Sequence, residues 1–137
     1  MRRPFLLDTC AALWVVAGEI PQKTADELSD ARNAGLLTYV SPITAWEVGL
    51  LARKGRFRSQ YSPQSWFEQL MAAPDTALAD LSAKILLESS FLPGEFHSDP
   101  ADRILAATAR ELGLTIMTRD RALLDYGKRG HLSAIAC

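Results

Sequence analysis

The chain is poor in the residues that staple or metal-clip a small fold. Its 137 residues include two cysteines and two histidines. Cys10 and Cys137 stand at opposite ends and match no metal-ligand spacing, which disfavours a disulfide framework and a structural zinc site. Cys10, within an apolar stretch, reads as a small core residue and Cys137 as a mobile terminus; a reducing, cytoplasmic setting is expected. An excess of either charge is also missing, with 15 Lys and Arg against 16 Asp and Glu and a net charge of −1. Global charge therefore gives no support for nucleic-acid binding, although a basic patch offset by clustered acids would leave the same total. No apolar run approaches the ~18 residues of a membrane span. Arg2 and Arg3 ahead of Phe5-Leu6-Leu7 imitate a secretory signal, but Asp8 interrupts the apolar stretch and no convincing cleavage site follows. Repeats, low-complexity tracts and long linkers are lacking, so 1–137 reads as a single domain.

What the chain does contain is an alternation of strand-like apolar runs with helical patterns, the signature of an α/β fold with a parallel sheet. Strands are expected at Pro4–Asp8, Leu36–Val40, Thr76–Leu81, Thr115–Thr118 and, as a last edge strand, Leu132–Ala136. Helices are expected over Ala11–Ala17, Lys23–Ala34, a segment from Pro42 to about Lys54, a segment from Pro63 through Leu70, Ser82–Phe91 with Ile85 and Leu86 inward, a segment opened by Asp99-Pro100, and Arg121–Tyr126. Ser41-Pro42, Ser62-Pro63 and Asp99-Pro100 each pair an N-cap oxygen with a proline at the first helical position, and Gly35 supplies a helix stop.

Four acids sit where this pattern asks for apolar residues. Asp8 closes the first strand, and Asp120 follows the run Leu114-Thr115-Ile116-Met117. Glu47 shares a helical stripe with Ile43, Trp46, Leu50 and Leu51; Asp102 heads one through Leu105, Ala106, Ala109 and Leu112. Ionised carboxylates are costly to strip of water, and no Lys or Arg shares these stripes closely enough to neutralise four of them. A divalent cation where the segments meet is the economical explanation. Hard oxygen donors in this number suit Mg²⁺ or Mn²⁺ rather than zinc. Such a site most often serves phosphodiester hydrolysis: the cation activates water and neutralises the leaving oxygen, and a remaining carboxylate accepts the proton.

Blander readings stand beside this one. Asp8, Asp99 and Asp120 are each placed to cap the helix that follows, and Asp102 is placed to favour a helix start; for Asp99 the cap is the favoured reading. Glu47 has no structural reward of this kind. Arg53, Lys54, Arg56 and Arg58 form the densest basic patch, either a helix C-terminus complementing the dipole or a phosphate-backbone contact with Phe57 stacking a base. Arg103 and Arg119 adjoin site acids and would contact substrate phosphate or tether a carboxylate. His97 and His131 read as a loop residue and a surface residue.

The segments Leu6-Leu7-Asp8-Thr9, Ser41-Pro42-Ile43-Thr44-Ala45-Trp46-Glu47, Asp99-Pro100-Ala101-Asp102-Arg103-Ile104-Leu105-Ala106-Ala107 and Thr118-Arg119-Asp120 together resemble the PIN-domain ribonucleases, in that family's order and over nearly the whole chain. The closest group is the VapC-type toxins of prokaryotic type II toxin–antitoxin systems. The resemblance implies a PIN-like fold, a small central parallel sheet flanked by helices on both sides, and Mg²⁺- or Mn²⁺-dependent endonucleolytic cleavage of RNA. By motif match, Asp8 and Asp102 would be principal metal ligands, Glu47 and Asp120 would complete the catalytic acidic site, and Asp99 and Thr118 would be accessory. It further implies a homodimer and a VapB-like antitoxin whose tail obstructs the site. Trp14, Trp46 and Trp66 with Phe57 and Phe67 either fill the core or form part of a partner surface. Rival functions are a PIN nuclease of RNA maturation or decay without an antitoxin, a non-catalytic binding module on the same fold, and a phosphoacceptor receiver. The receiver is disfavoured because no Lys follows the late strand 114–117.

Overall fold

Strand β1 (Phe5–Leu7) is the axis of the molecule, a computed structural model that describes residues 2–137. All three of its residues are buried, as expected of a parallel strand covered on both faces. It pairs in parallel with β2 (Thr38–Val40) on one side and β4 (Thr115–Thr118) on the other. β3 (Thr76–Leu78) and β5 (Ser133–Ala136) form the parallel edges, giving the order β3-β2-β1-β4-β5. Seven helices flank the sheet: α1 (Thr9–Ala17), α2 (Gln22–Asn33), α3 (Pro42–Arg53), α4 (Pro63–Ala72), α5 (Ala83–Ser89), α6 (Pro100–Leu112) and α7 (Arg121–Lys128).

Alternation along β1 separates two cores. Phe5 and Leu7 pack with Ala11, Ala12, Val40, Val48, Trp66, Leu70 and Met117 on the face covered by α1, α3 and α4. Leu6 and Ile116 point to the opposite face, onto Leu105, Ala106 and Ala109 of α6 and Leu123 of α7. The proline-led starts form as their sequences dictate. Ser41 Oγ accepts from Ile43 N at 3.1 Å and Ser62 Oγ from Ser65 N at 3.1 Å, each with proline in the first turn.

Several expectations are corrected. Leu86 on α5 is 43% exposed; Ile85 alone of that pair points inward. Cys10 is exposed because α1 buries Thr9, Ala11 and Ala12 instead. Cys137 is not loose: its N–H donates to Thr118 O at 3.2 Å and its carbonyl accepts from Arg119 Nε at 2.8 Å, and both thiols are free. The apolar stripe drawn through Glu47 is not the buried face of α3. Thr44 and Val48 are buried, whereas Trp46 is 51% exposed and Glu47 lies at the margin. Phe57 meets Trp66 edge-on, ring centroids 6.1 Å apart, which commits its ring to the core rather than to a base.

Candidate active site

The order β3-β2-β1-β4-β5 runs outward from β1 to one edge and then returns to its other side at β4. Between β1 and β4 the outgoing connections therefore diverge to opposite faces, leaving a crevice at the carboxyl ends of the strands, the usual ligand position in open α/β sheets. Asp8 and Asp120 follow these two strands. Asp8 is fixed by its own N–H donating to Met117 O at 3.1 Å across the β1–β4 seam.

Each acid is aimed by a local structural device. Asp8 Oδ1 accepts from Ala11 N at 2.7 Å as the N-cap of α1, and its other oxygen accepts from the buried hydroxyl of Thr118. Thr118 Oγ1 in turn accepts from Asp120 N at 2.9 Å, so one hydroxyl ties the two strand-end acids together. Asp120 Oδ1 caps α7 through Leu123 N at 3.0 Å. Asp99 Oδ1 caps α6 through Asp102 N at 3.0 Å, placing Asp102 in the first turn. Glu47 Oε1 accepts from Thr9 Oγ1, which also lies 3.1 Å from Thr44 Oγ1. The capping geometries are thus real, and they coexist with convergence: at Asp8 the cap takes Oδ1 and Thr118 takes Oδ2, and each carboxylate oxygen keeps a further lone pair for a cation.

Electrostatics report the crowding. Burial pushes the Asp102 carboxyl up to about 7, and the neighbouring Asp120, Asp99, Glu47 and Asp8 add to the rise. Asp8 is raised by burial and by Asp120, against the opposing hydrogen bonds from Thr118 and Ala11. Burial, with Asp99 and Asp8, raises Glu47 against the hydrogen bond from Thr9. Among the described residues no Lys or Arg forms an ion pair with Asp8, Glu47, Asp102 or Asp120.

Among the described residues the flanking arginines tether no site carboxylate. Arg103 turns away from the acids, donating from Nε to Ser89 O at 2.8 Å and from Nη1 to Phe96 O and His97 O at 3.2 Å each. The Arg119 guanidinium lies over the Trp14 ring, 3.4 Å from its centroid. Arg53, Lys54, Arg56 and Arg58 are exposed, and Arg56 and Arg58 line a groove of about 590 Å³ that Trp14 and Tyr61 also line. His97 was read as a loop residue, yet its Nε2 lies 3.0 Å from Asp102 Oδ2. Nothing in the sequence near His97 signals this, because the loop carrying it is brought back over α6 by contacts with α7.

A family model described as "PIN domain" matches residues 5–129 of this sequence. The chain belongs to the PIN-domain family. Its likeness is to the VapC branch: Ribonuclease VapC22 of Mycobacterium tuberculosis (strain ATCC 25618 / H37Rv) is 32% identical over 121 residues, 88% of this chain and 90% of that protein. The fold also matches the crystal structure of VapBC2 from Rickettsia felis bound to a promoter DNA fragment, with a TM-score of 0.71, 16% identity and coverage of 96% and 97% of the two chains. It matches that of FitAcB from Neisseria gonorrhoeae with a TM-score of 0.55, 20% identity and 96% of both chains covered. PIN nucleases are metal-dependent, and this PIN domain has donors that suit a divalent cation. One atom each of His97, Asp102 and Asp120 lie within 4.8 Å of one another, a group that takes in neither Asp8 nor Glu47. Among the described residues no helix is long and apolar enough to cross a membrane.

Proposed function

We propose that this PIN domain is a Mg²⁺- or Mn²⁺-dependent endoribonuclease acting as the toxin of a toxin–antitoxin pair in the cytoplasm. The observation that carries the reading is the convergence of Asp8, Glu47, Asp102 and Asp120 at the β1–β4 crevice, in a chain 32% identical to a protein named as a ribonuclease. Asp8 and Asp102 are the principal ligands, with Glu47 and Asp120 completing the acidic set. A bound divalent cation would supply an activated water and neutralise charge on the phosphate. The chain's own groups do the rest. Thr118 holds Asp8 and the Asp120 backbone in one geometry, and Thr9 holds Glu47 beside the crevice, where its unbonded oxygen is placed to accept a proton from water. The exposed cations of 53–58 and the groove shared with Trp14, over which Arg119 lies, offer the backbone of a single RNA strand a positive path toward the acids.

A VapB-like antitoxin and a homodimer are the partners proposed for this chain, in keeping with its likeness to the VapBC2 assembly. Purified Asp8→Asn and Asp102→Asn variants are expected to melt cooperatively and cleave no RNA; full cleavage by both would remove the acids from the chemistry. Inducing the chain alone is expected to arrest growth, with relief from a short neighbouring reading frame. Cleavage without arrest or relief would instead mark a PIN nuclease of RNA maturation.

A further inference from the structure

The histidine beside the acids is held by more than chance. His97 sits in the α5–α6 connection, whose backbone carbonyls are gripped by side chains from α6, α7 and the residue that ends α7. Tyr126 Oη donates to Pro93 O, Arg129 Nη2 to Glu95 O at 2.7 Å, and Arg103 Nη1 to Phe96 O and His97 O at 3.2 Å each. The Phe96 ring lies edge-on to the His97 ring with centroids 4.5 Å apart, and it packs on Tyr126 at 4.7 Å. The loop backbone is therefore anchored before any ligand arrives, while the His97 side chain stays 37% exposed. Arg103, the immediate neighbour of Asp102, spends donors on this loop instead of on a carboxylate.

The outcome is that His97 Nε2 lies 3.0 Å from Asp102 Oδ2, and an Asp120 oxygen joins the group within 4.8 Å. Donors about 2.1 Å from an octahedral ion stand roughly 3.0 Å apart when adjacent and roughly 4.2 Å apart when opposite. The imidazole–carboxylate separation already matches an adjacent pair, and no separation in the group needs to close by more than about 0.6 Å to match an opposite pair.

We propose that His97 is a nitrogen ligand of the cation held by Asp102 and Asp120, and that it biases this site toward Mn²⁺ and other nitrogen-tolerant divalent ions over Mg²⁺. This rests on the acidic crevice being a metal site, as proposed above. A hard, strongly hydrated Mg²⁺ gains little from exchanging water for imidazole, whereas later first-row ions gain affinity from it. The loop supplies placement: Arg103 acts as a positioning residue, holding the His97 carbonyl and so the backbone that presents the imidazole to the acids.

The test uses the full-length protein, stripped with chelator, and Mn²⁺ alone as the probe. Pulsed electron paramagnetic resonance of the wild-type Mn²⁺ complex is expected to show nitrogen modulation from one imidazole, absent in His97→Gln. Calorimetric titration is expected to show Mn²⁺ affinity falling 10- to 100-fold in His97→Gln, with Mg²⁺ affinity changing less than about threefold. Mn²⁺ binding without nitrogen modulation in the wild type would overturn the ligand assignment and leave the acidic metal site standing. Equal losses for Mn²⁺ and Mg²⁺ would overturn the selectivity. If neither ion binds the wild type, the metal reading itself fails, and the ligand assignment with it. The wild-type spectrum decides without reliance on the folding of any variant.

Discussion

Asp102→Asn should abolish catalysis and yet stabilise the metal-free protein. Burial and four acidic neighbours move the Asp102 carboxyl from 3.8 to about 7. Its pKa is therefore higher in the folded than in the unfolded chain, so the native state is the better proton acceptor. The stabilisation from this group is complete below about pH 4 and drains away as pH rises through 7. At roughly 1.4 kcal/mol per pKa unit, the rise sets a ceiling of about 4 kcal/mol for the cost of the ionised side chain. Solvent reaches the crevice, so screening reduces this to about 1–2 kcal/mol. An N-terminal acid also gains about 0.5 kcal/mol from the dipole of α6, which asparagine forfeits. The net expectation is about 1 kcal/mol in favour of the variant at pH 8, a few degrees in Tm. The gap should close as pH falls toward 4.5. Thermal melts in EDTA across that range measure it, and added Mn²⁺ should reverse the order by stabilising only the wild type. A variant less stable than wild type at pH 8, or a gap independent of pH, would refute the account of Asp102 as a destabilised buried charge.

At Asp8 the two obvious variants should separate structure from chemistry. Asp8→Asn and Asp8→Ala are both expected to be inactive, but alanine alone loses the Ala11 cap, costing about 1 kcal/mol in denaturant titration. Thr118→Val keeps shape but deprives Asp8 and the Asp120 N–H of their shared hydroxyl; cleavage should fall at least tenfold with stability reduced by about 1–2 kcal/mol. Trp66→Ala should cost about 3–5 kcal/mol by urea unfolding, because the ring is buried between Phe57 and Phe67. Replacing Lys54, Arg56 and Arg58 with Gln should weaken RNA binding and flatten its salt dependence by up to two to three powers of salt concentration, while Mn²⁺ affinity stays unchanged.

Local signals were legible where the chain's covalent chemistry forces a conformation. Ser41-Pro42, Ser62-Pro63 and Asp99-Pro100 announce helix starts that form at those positions, and β4 occupies its expected residues. Faces were harder. A stripe of Ile43, Trp46, Glu47 and Leu50 has the right period, but which side of α3 is buried depends on where α1 and α4 pack, and Thr44 and Val48 face inward instead. The acids could be picked out because each violated a local pattern. His97 violated none. Its approach to Asp102 is created by side chains of α6 and α7 gripping one loop, a long-range arrangement with no imprint on neighbouring residues.

The double duty of the site acids restricts how this chain can change. Asp8, Asp99 and Asp120 each close the first turn of a helix, and Asp8 and Asp120 do so where β1 and β4 end, so no drift at these positions is free. A descendant that abandons cleavage but keeps the fold would be confined at these places to asparagine, serine or threonine, which still accept the backbone N–H. Glu47 caps nothing, and a good helix former there would lose only the hydrogen bond from Thr9, whose hydroxyl has Thr44 as a second partner. Loss of chemistry should therefore show first at Glu47, with the strand-end acids surviving as polar relics of a site no longer in use.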